Sequence, residues 1–167
     1  MSLAAKLSFG ELPLRFGEGL VSGALATAPM SLVMIGGKSL LPPGEKYPLP
    51  PSEITGKIEE QVTDFLGVPE EMPDPATHHK LTLINHYAYG AACGGVLSLL
   101  PPLRKKWYGG LAFGLAVWAG SYLKLLPALK ILTPATEHPA RRNALMIVAH
   151  CVWGVSASKS LGLFQRD

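Results

Sequence analysis

A chain of 167 residues has room for one core, and its 16% of charged residues falls well short of the roughly 25% of a typical soluble domain. A net charge of +3 without a basic stripe excludes a nucleic-acid footprint. Two cysteines, Cys93 and Cys151, each inside an apolar block, exclude a disulfide framework or a cysteine zinc site, and no Gly-rich phosphate loop, GxSxG, HExxH or CxxC occurs.

The first block without Asp, Glu, Lys or Arg runs from Gly19 to Gly37, 19 residues. Lys6 and Arg15 lie upstream and Ala26-Thr27-Ala28 imitates a signal-peptidase site, but the apolar run continues past it and Pro29 follows, so the block reads as a retained helix kinked at Pro29. A long loop follows. Its LLPPGEKYPLPP stretch reads as extended, and Ser52 reads as the N-cap of a helix stopped by Gly67. Ile54, Ile58, Val62 and Phe65 share one face of that helix, which reads as an amphipathic lid on its own bundle, or alternatively as a docking helix for a partner.

Leu81 to Leu103 is a second uncharged block of 23 residues. Trp107 to Leu123 is a third, of 17, extended beyond Lys124 by LLPAL. Asn143 to Ser158 is a fourth, of 16, extended beyond Lys159 by SLGLF. A helix needs about 20 residues to cross the hydrocarbon, which the last two reach if their lysines snorkel to the interface. Small residues recur four apart in every block: Gly19/Gly23, Gly90/Gly94, Gly110/Gly114 and Gly154/Ser158. That spacing lets membrane helices approach closely. The expected fold is all-α, a single membrane domain over residues 1–167 built as a four-transmembrane-helix bundle, with the amphipathic helix in its first loop.

Each side of such a bundle carries seven Lys and Arg, so counting does not orient it; the cluster Arg104-Lys105-Lys106 in the shortest loop favours cytoplasmic termini. The two halves, about 17–100 and 108–163, resemble each other. GLVSG from Gly19 matches GLAFG from Gly110, Lys38-Ser39-Leu40-Leu41-Pro42 resembles Lys124-Leu125-Leu126-Pro127, PATHH from Pro75 matches PATEH from Pro134, and HYAYG from His86 matches HCVWG from His150. A duplicated helical hairpin, its copies related by an axis along the membrane normal, would account for this.

That alignment pairs His86 with His150. They lie five and seven residues inside their spans, about 7–11 Å from one membrane face at 1.5 Å per residue. Each shares a stripe with small residues, His86/Gly90/Gly94 and His150/Gly154/Ser158, and so should face inward. Three roles are open. The rings can hydrogen-bond neighbouring helices through Tyr87, Asn85 or Asn143. They can form a bis-imidazole site for haem or a metal ion, with His79 and His138 adding metal ligands from the loop side. Or they can line a path for a proton or small solute beside Lys124. His78, His79, Glu137 and His138 could also form a surface metal site, though solvated loop residues are the plainer reading.

YPLPPSEIT (Tyr47 to Thr55), AHCVWG (Ala149 to Gly154) and a small-residue first span before a long loop resemble the YagU-like family of bacterial inner-membrane proteins. The resemblance implies a bacterial inner-membrane location and no particular reaction. No block holds an Asp or Glu for intramembrane catalysis. The expected function is non-enzymatic, structural or accessory, with the lipid bilayer and a larger membrane complex or a second copy as partners. The alternatives are a haem- or metal-binding electron-transfer subunit using His86 and His150, and a small-solute or proton transporter.

Overall fold

The computed structural model describes residues 9–67, 74–104 and 106–164; Lys6, Lys105 and Arg166, which entered the charge comparison, lie outside them. Among the described residues the fold is all-helical. Helix α1 is Leu12–Ser39, uninterrupted at Pro29; α2 is Pro50–Leu66; α3 is Pro75–Ser98; α4 is the single turn Pro101–Arg104. Helix α5, Trp107–Gly120, runs through a π turn at Ser121–Leu125 into α6, Leu126–Ala128, and α7 is Ala140–Phe164.

Local chemistry sets these boundaries. Gly67 closes α2 in the left-handed conformation (φ 63°), as expected of a glycine stop. The start of α2 differs from expectation. Pro50 and Pro51 occupy the first turn, where proline's missing N–H costs nothing, so Ser52 lies inside the helix and does not cap it. Asp74 caps α3 by accepting from the backbone N–H groups of Ala76 and Thr77 at 3.0 and 3.2 Å. His78 and His79 are therefore helical and not loop residues. The π turn has a cause in Pro127, whose ring cannot donate and crowds the carbonyl four residues back; the ladder slips by one residue, and Leu126 N–H bonds Ser121 O.

Three helices are long and apolar enough to cross a bilayer: Leu12–Ser39, Trp107–Ala128 and Ala140–Phe164. Their outward side chains include Leu25, Leu32, Ile35, Leu123 and Val148, all exposed, where a soluble bundle would carry charge. The chain is a membrane protein in contact with lipid. Helix α3 is 24 residues long but less apolar, because Asn85, His86, Tyr87 and Tyr89 are uncharged yet polar.

Backbone-close contacts order the bundle. A Cβ on Gly23 would strike the carbonyl oxygen of Gly90, and one on Gly19 would lie 2.5 Å from that of Gly94, so α1 and α3 run antiparallel. On α5, Gly110 and Gly114 meet the carbonyls of Gly154 and His150 in α7 in the same manner. Helix α1 also packs on α7, where Trp153 Nε1 donates to Gly23 O at 3.2 Å. The order is α3–α1–α7–α5, and the two outer helices barely touch each other. The recurring contacts set Gly94 against Gly154 and Ser98 against Ser158. These contacts are one turn out of step with the sequence alignment: they put Gly90, not His86, in the setting that His150 has on α7.

Candidate functional site

The glycines in backbone-close contact between helices sit in one half of the bundle, toward the end that holds α4. In the other half larger side chains line the interior, and a chamber of about 330 Å³ opens. Met30 and Met34 of α1, Cys93 of α3, Val117 of α5 and Trp153 of α7 supply apolar wall. Thr27, Asn85, His86, Tyr89, Ser121, Tyr122 and His150 supply the polar atoms, and no charged side chain lines it. Ser121 and Tyr122, the first two residues of the π turn, both lie on this wall. Tyr89 on α3 and Ser121 on α5 share a 2.7 Å hydroxyl hydrogen bond that bridges the two outer helices.

Both histidines face this one chamber, as inward-pointing rings should. His150 is buried, and its Nδ1 donates to Met146 O at 2.8 Å, one turn back in its own helix. Tyr122 stands edge-on to it, with centroids 5.6 Å apart. His86 is half-buried and packs edge-on with Tyr87. The expected bonds to neighbouring helices are not the ones made. Asn85 donates to Thr55 Oγ1 on α2 (3.2 Å), and Asn143 to the backbone oxygens of Ala135 and His138.

Helix α2 roofs the chamber with Pro51, Ile54 and Ile58, and two clamps hold it. From α3, His78 Nδ1 donates to Glu59 Oε2 (2.9 Å), and the other ring nitrogen meets Ser52 Oγ at 3.0 Å. From α7, the buried Arg142 donates to the carbonyls of Glu45 (3.3 Å), Tyr47 (3.1 Å) and Pro48, reaches Glu53 Oε1 at 3.4 Å, and lies 3.6 Å over the Tyr47 ring. Burial pushes the Glu53 carboxyl above its usual range, against the opposing pull of Arg142, His138 and Lys38.

His138 and His79 lie apart from this. His138 is held between Tyr47 OH (3.0 Å) and Thr133 Oγ1 (3.1 Å), and His79 is exposed. Neither lines the chamber, and no group of three or more His, Cys, Asp and Glu placed to hold a metal ion occurs among the described residues. Sequence reasoning passed over Tyr122, Ser121 and Arg142 as site residues; Pro127 just beyond Lys124 was the available sign of the π turn. Comparison with protein-family models, with curated proteins and with solved structures finds no match to this chain.

Proposed function

We propose that this is a non-enzymatic accessory protein of the bacterial inner membrane that crosses the bilayer four times and holds a small, mostly apolar molecule from the membrane in its chamber. The observation that carries this is the chamber itself: about 330 Å³, apolar in most of its wall, with a few convergent polar atoms. Ligand sites run from about 300 to 1,000 Å³ and have this make-up. The size suits one small molecule and is too little for a two-chain phospholipid. No carboxylate lines the chamber, and Ser121 Oγ is engaged by Tyr89, so no nucleophile–base pair is assembled there. The bacterial location follows from the YagU-like resemblance, and cytoplasmic termini from the basic short loop. The recurrence of the glycine contacts in both hairpins supports a duplicated origin, in the register that pairs Gly94 with Gly154.

The test is mass spectrometry of an organic extract of the protein purified in mild detergent. A near-stoichiometric small apolar compound is expected, and Val117→Phe, which pushes a ring into the chamber, should lose it. An extract holding only bulk lipid would count against the reading.

A bis-histidine site for haem or a metal ion is the second reading, favoured by His86 and His150 facing one chamber. Two imidazoles fall short of the three or four ligands most metal sites use. A haem-type spectrum or near-stoichiometric metal in the same preparation, abolished by His86→Ala, would put this reading first.

A further inference from the structure

We infer that the molecule taken up by the chamber is an uncharged alcohol or phenol whose hydroxyl donates to Nε2 of His150; this rests on the binding reading above. The Met146 carbonyl can only accept, so the contact at 2.8 Å fixes a proton on Nδ1 of His150. A neutral imidazole carries one N–H, which leaves Nε2 as a bare acceptor. The ring is 5% exposed, and among the described residues no group donates to Nε2. Nε2 opens onto the mostly apolar chamber, where an unmet acceptor is unfavourable. A donor arriving with the ligand would satisfy it.

None of the donors on the chamber wall is bonded to Nε2 of His150. Thr27 Oγ1 donates to Gly23 O at 2.9 Å, Asn85 to Thr55, and Tyr89 and Ser121 bond each other. The hydroxyl of Tyr122 has no partner among the described residues. A ligand hydroxyl can donate to His150 and accept from Tyr122 at once. A ketone or ester can only accept, and would leave Nε2 unmet. A carboxylate or ammonium would bury a charge in a chamber that lacks a counter-charge, which is far more costly. The site therefore selects a neutral donor soluble in lipid.

Trp153 reports on occupancy. It is 2% exposed, lines the chamber, and is one of three tryptophans. In full-length Trp107→Phe/Trp118→Phe protein in mild detergent, Trp153 fluorescence would be titrated with an alkyl bromophenol and with its methyl ether, since bromine quenches tryptophan on contact. Saturable quenching is expected from both, with the phenol about tenfold tighter, the value of one such hydrogen bond. In His150→Phe, which keeps a ring and removes the acceptor, the phenol should fall to the affinity of the ether. Equal affinities in the parent protein, or a phenol preference that survives His150→Phe, would overturn the alcohol assignment and leave the chamber a binding site. Absence of saturable quenching by either probe would overturn the binding reading as well. The phenol–ether comparison is made in protein with His150 intact, so it decides the matter even if His150→Phe fails to fold.

Discussion

Arg142 and Glu53 show how much one buried charge can organise. Arg142 stands in the first turn of α7, and its guanidinium gathers carbonyls from a segment about ninety residues earlier in the chain. The planar fork of five donors reaches four acceptors while lying over the Tyr47 ring, which the compact, three-donor ammonium of a lysine would not reproduce. Glu53 is the acidic member of this cluster, yet burial outweighs its attraction to Arg142 and raises its pKa above 4.5. A carboxyl whose folded pKa is raised contributes stability that is fully present below 4.5 and lost as pH rises through the folded value. Glu53→Gln removes that titration. Thermal unfolding of both proteins in detergent should show the parent losing stability relative to Glu53→Gln as pH climbs from 4.5 toward neutrality. A gap that stays constant, or narrows, would mean that the pair with Arg142 dominates instead. None of this was legible in the sequence, where Arg142 counted only as a loop charge. The segment it binds is brought to it by tertiary packing, which local pattern does not encode.

At the scale of elements, the glycines divide into those that bring helices together and those that do not. Gly23 faces the carbonyl of Gly90 with no room for a methyl group, whereas Gly36, on the same helix, has nothing within 4 Å of where a Cβ would be. Helix propensity alone would favour alanine at both sites by up to about 1 kcal/mol. At Gly23 the added atom forces α1 and α3 apart, a cost of roughly 1–3 kcal/mol. Gly23→Ala should therefore lower the midpoint of thermal unfolding, and Gly36→Ala should leave it level or raise it. Equal responses would remove the seam as a source of stability. The seam was readable beforehand, since small residues four apart have few other uses in an apolar helix. The register between the two halves was not. The motifs pair His86 with His150, whereas the backbone contacts give Gly94 in the first hairpin the setting that Gly154 has in the second, and such contacts cannot be read from the motifs. The chamber escaped notice for a related reason: its wall is assembled from α1, α2, α3, the π turn and α7 together, and a hydroxyl's direction cannot be read from spacing.

For the molecule as a whole, the weight falls on α3. Its most apolar stretch falls short of those of the other three long helices, yet it lies against α1 backbone to backbone, with Gly90 and Gly94 at Gly23 and Gly19. A helix in that contact must share the depth of its neighbour, and 24 residues at 1.5 Å each reach about 36 Å, enough to cross. Its polar side chains have somewhere to go: His86 and Tyr89 line the chamber, and Asn85 reaches Thr55 on α2. Mean hydropathy weighs all faces of a helix alike, and so undervalues one whose polar groups turn inward. Counting crossings makes this testable. With α3 spanning, the chain crosses four times and its two ends share a side; with α3 excluded, it crosses three times and they do not. Single cysteines at Gly10, Gly44 and Gly162, exposed positions where a Cβ meets nothing within 4 Å, can be placed in a Cys93→Ser/Cys151→Ser background. A membrane-impermeant maleimide applied to intact spheroplasts should label either Gly44→Cys alone or both Gly10→Cys and Gly162→Cys. Labelling that separates Gly10→Cys from Gly162→Cys would remove α3 from the membrane, and with it the lipid-facing wall that a chamber fed from the bilayer requires.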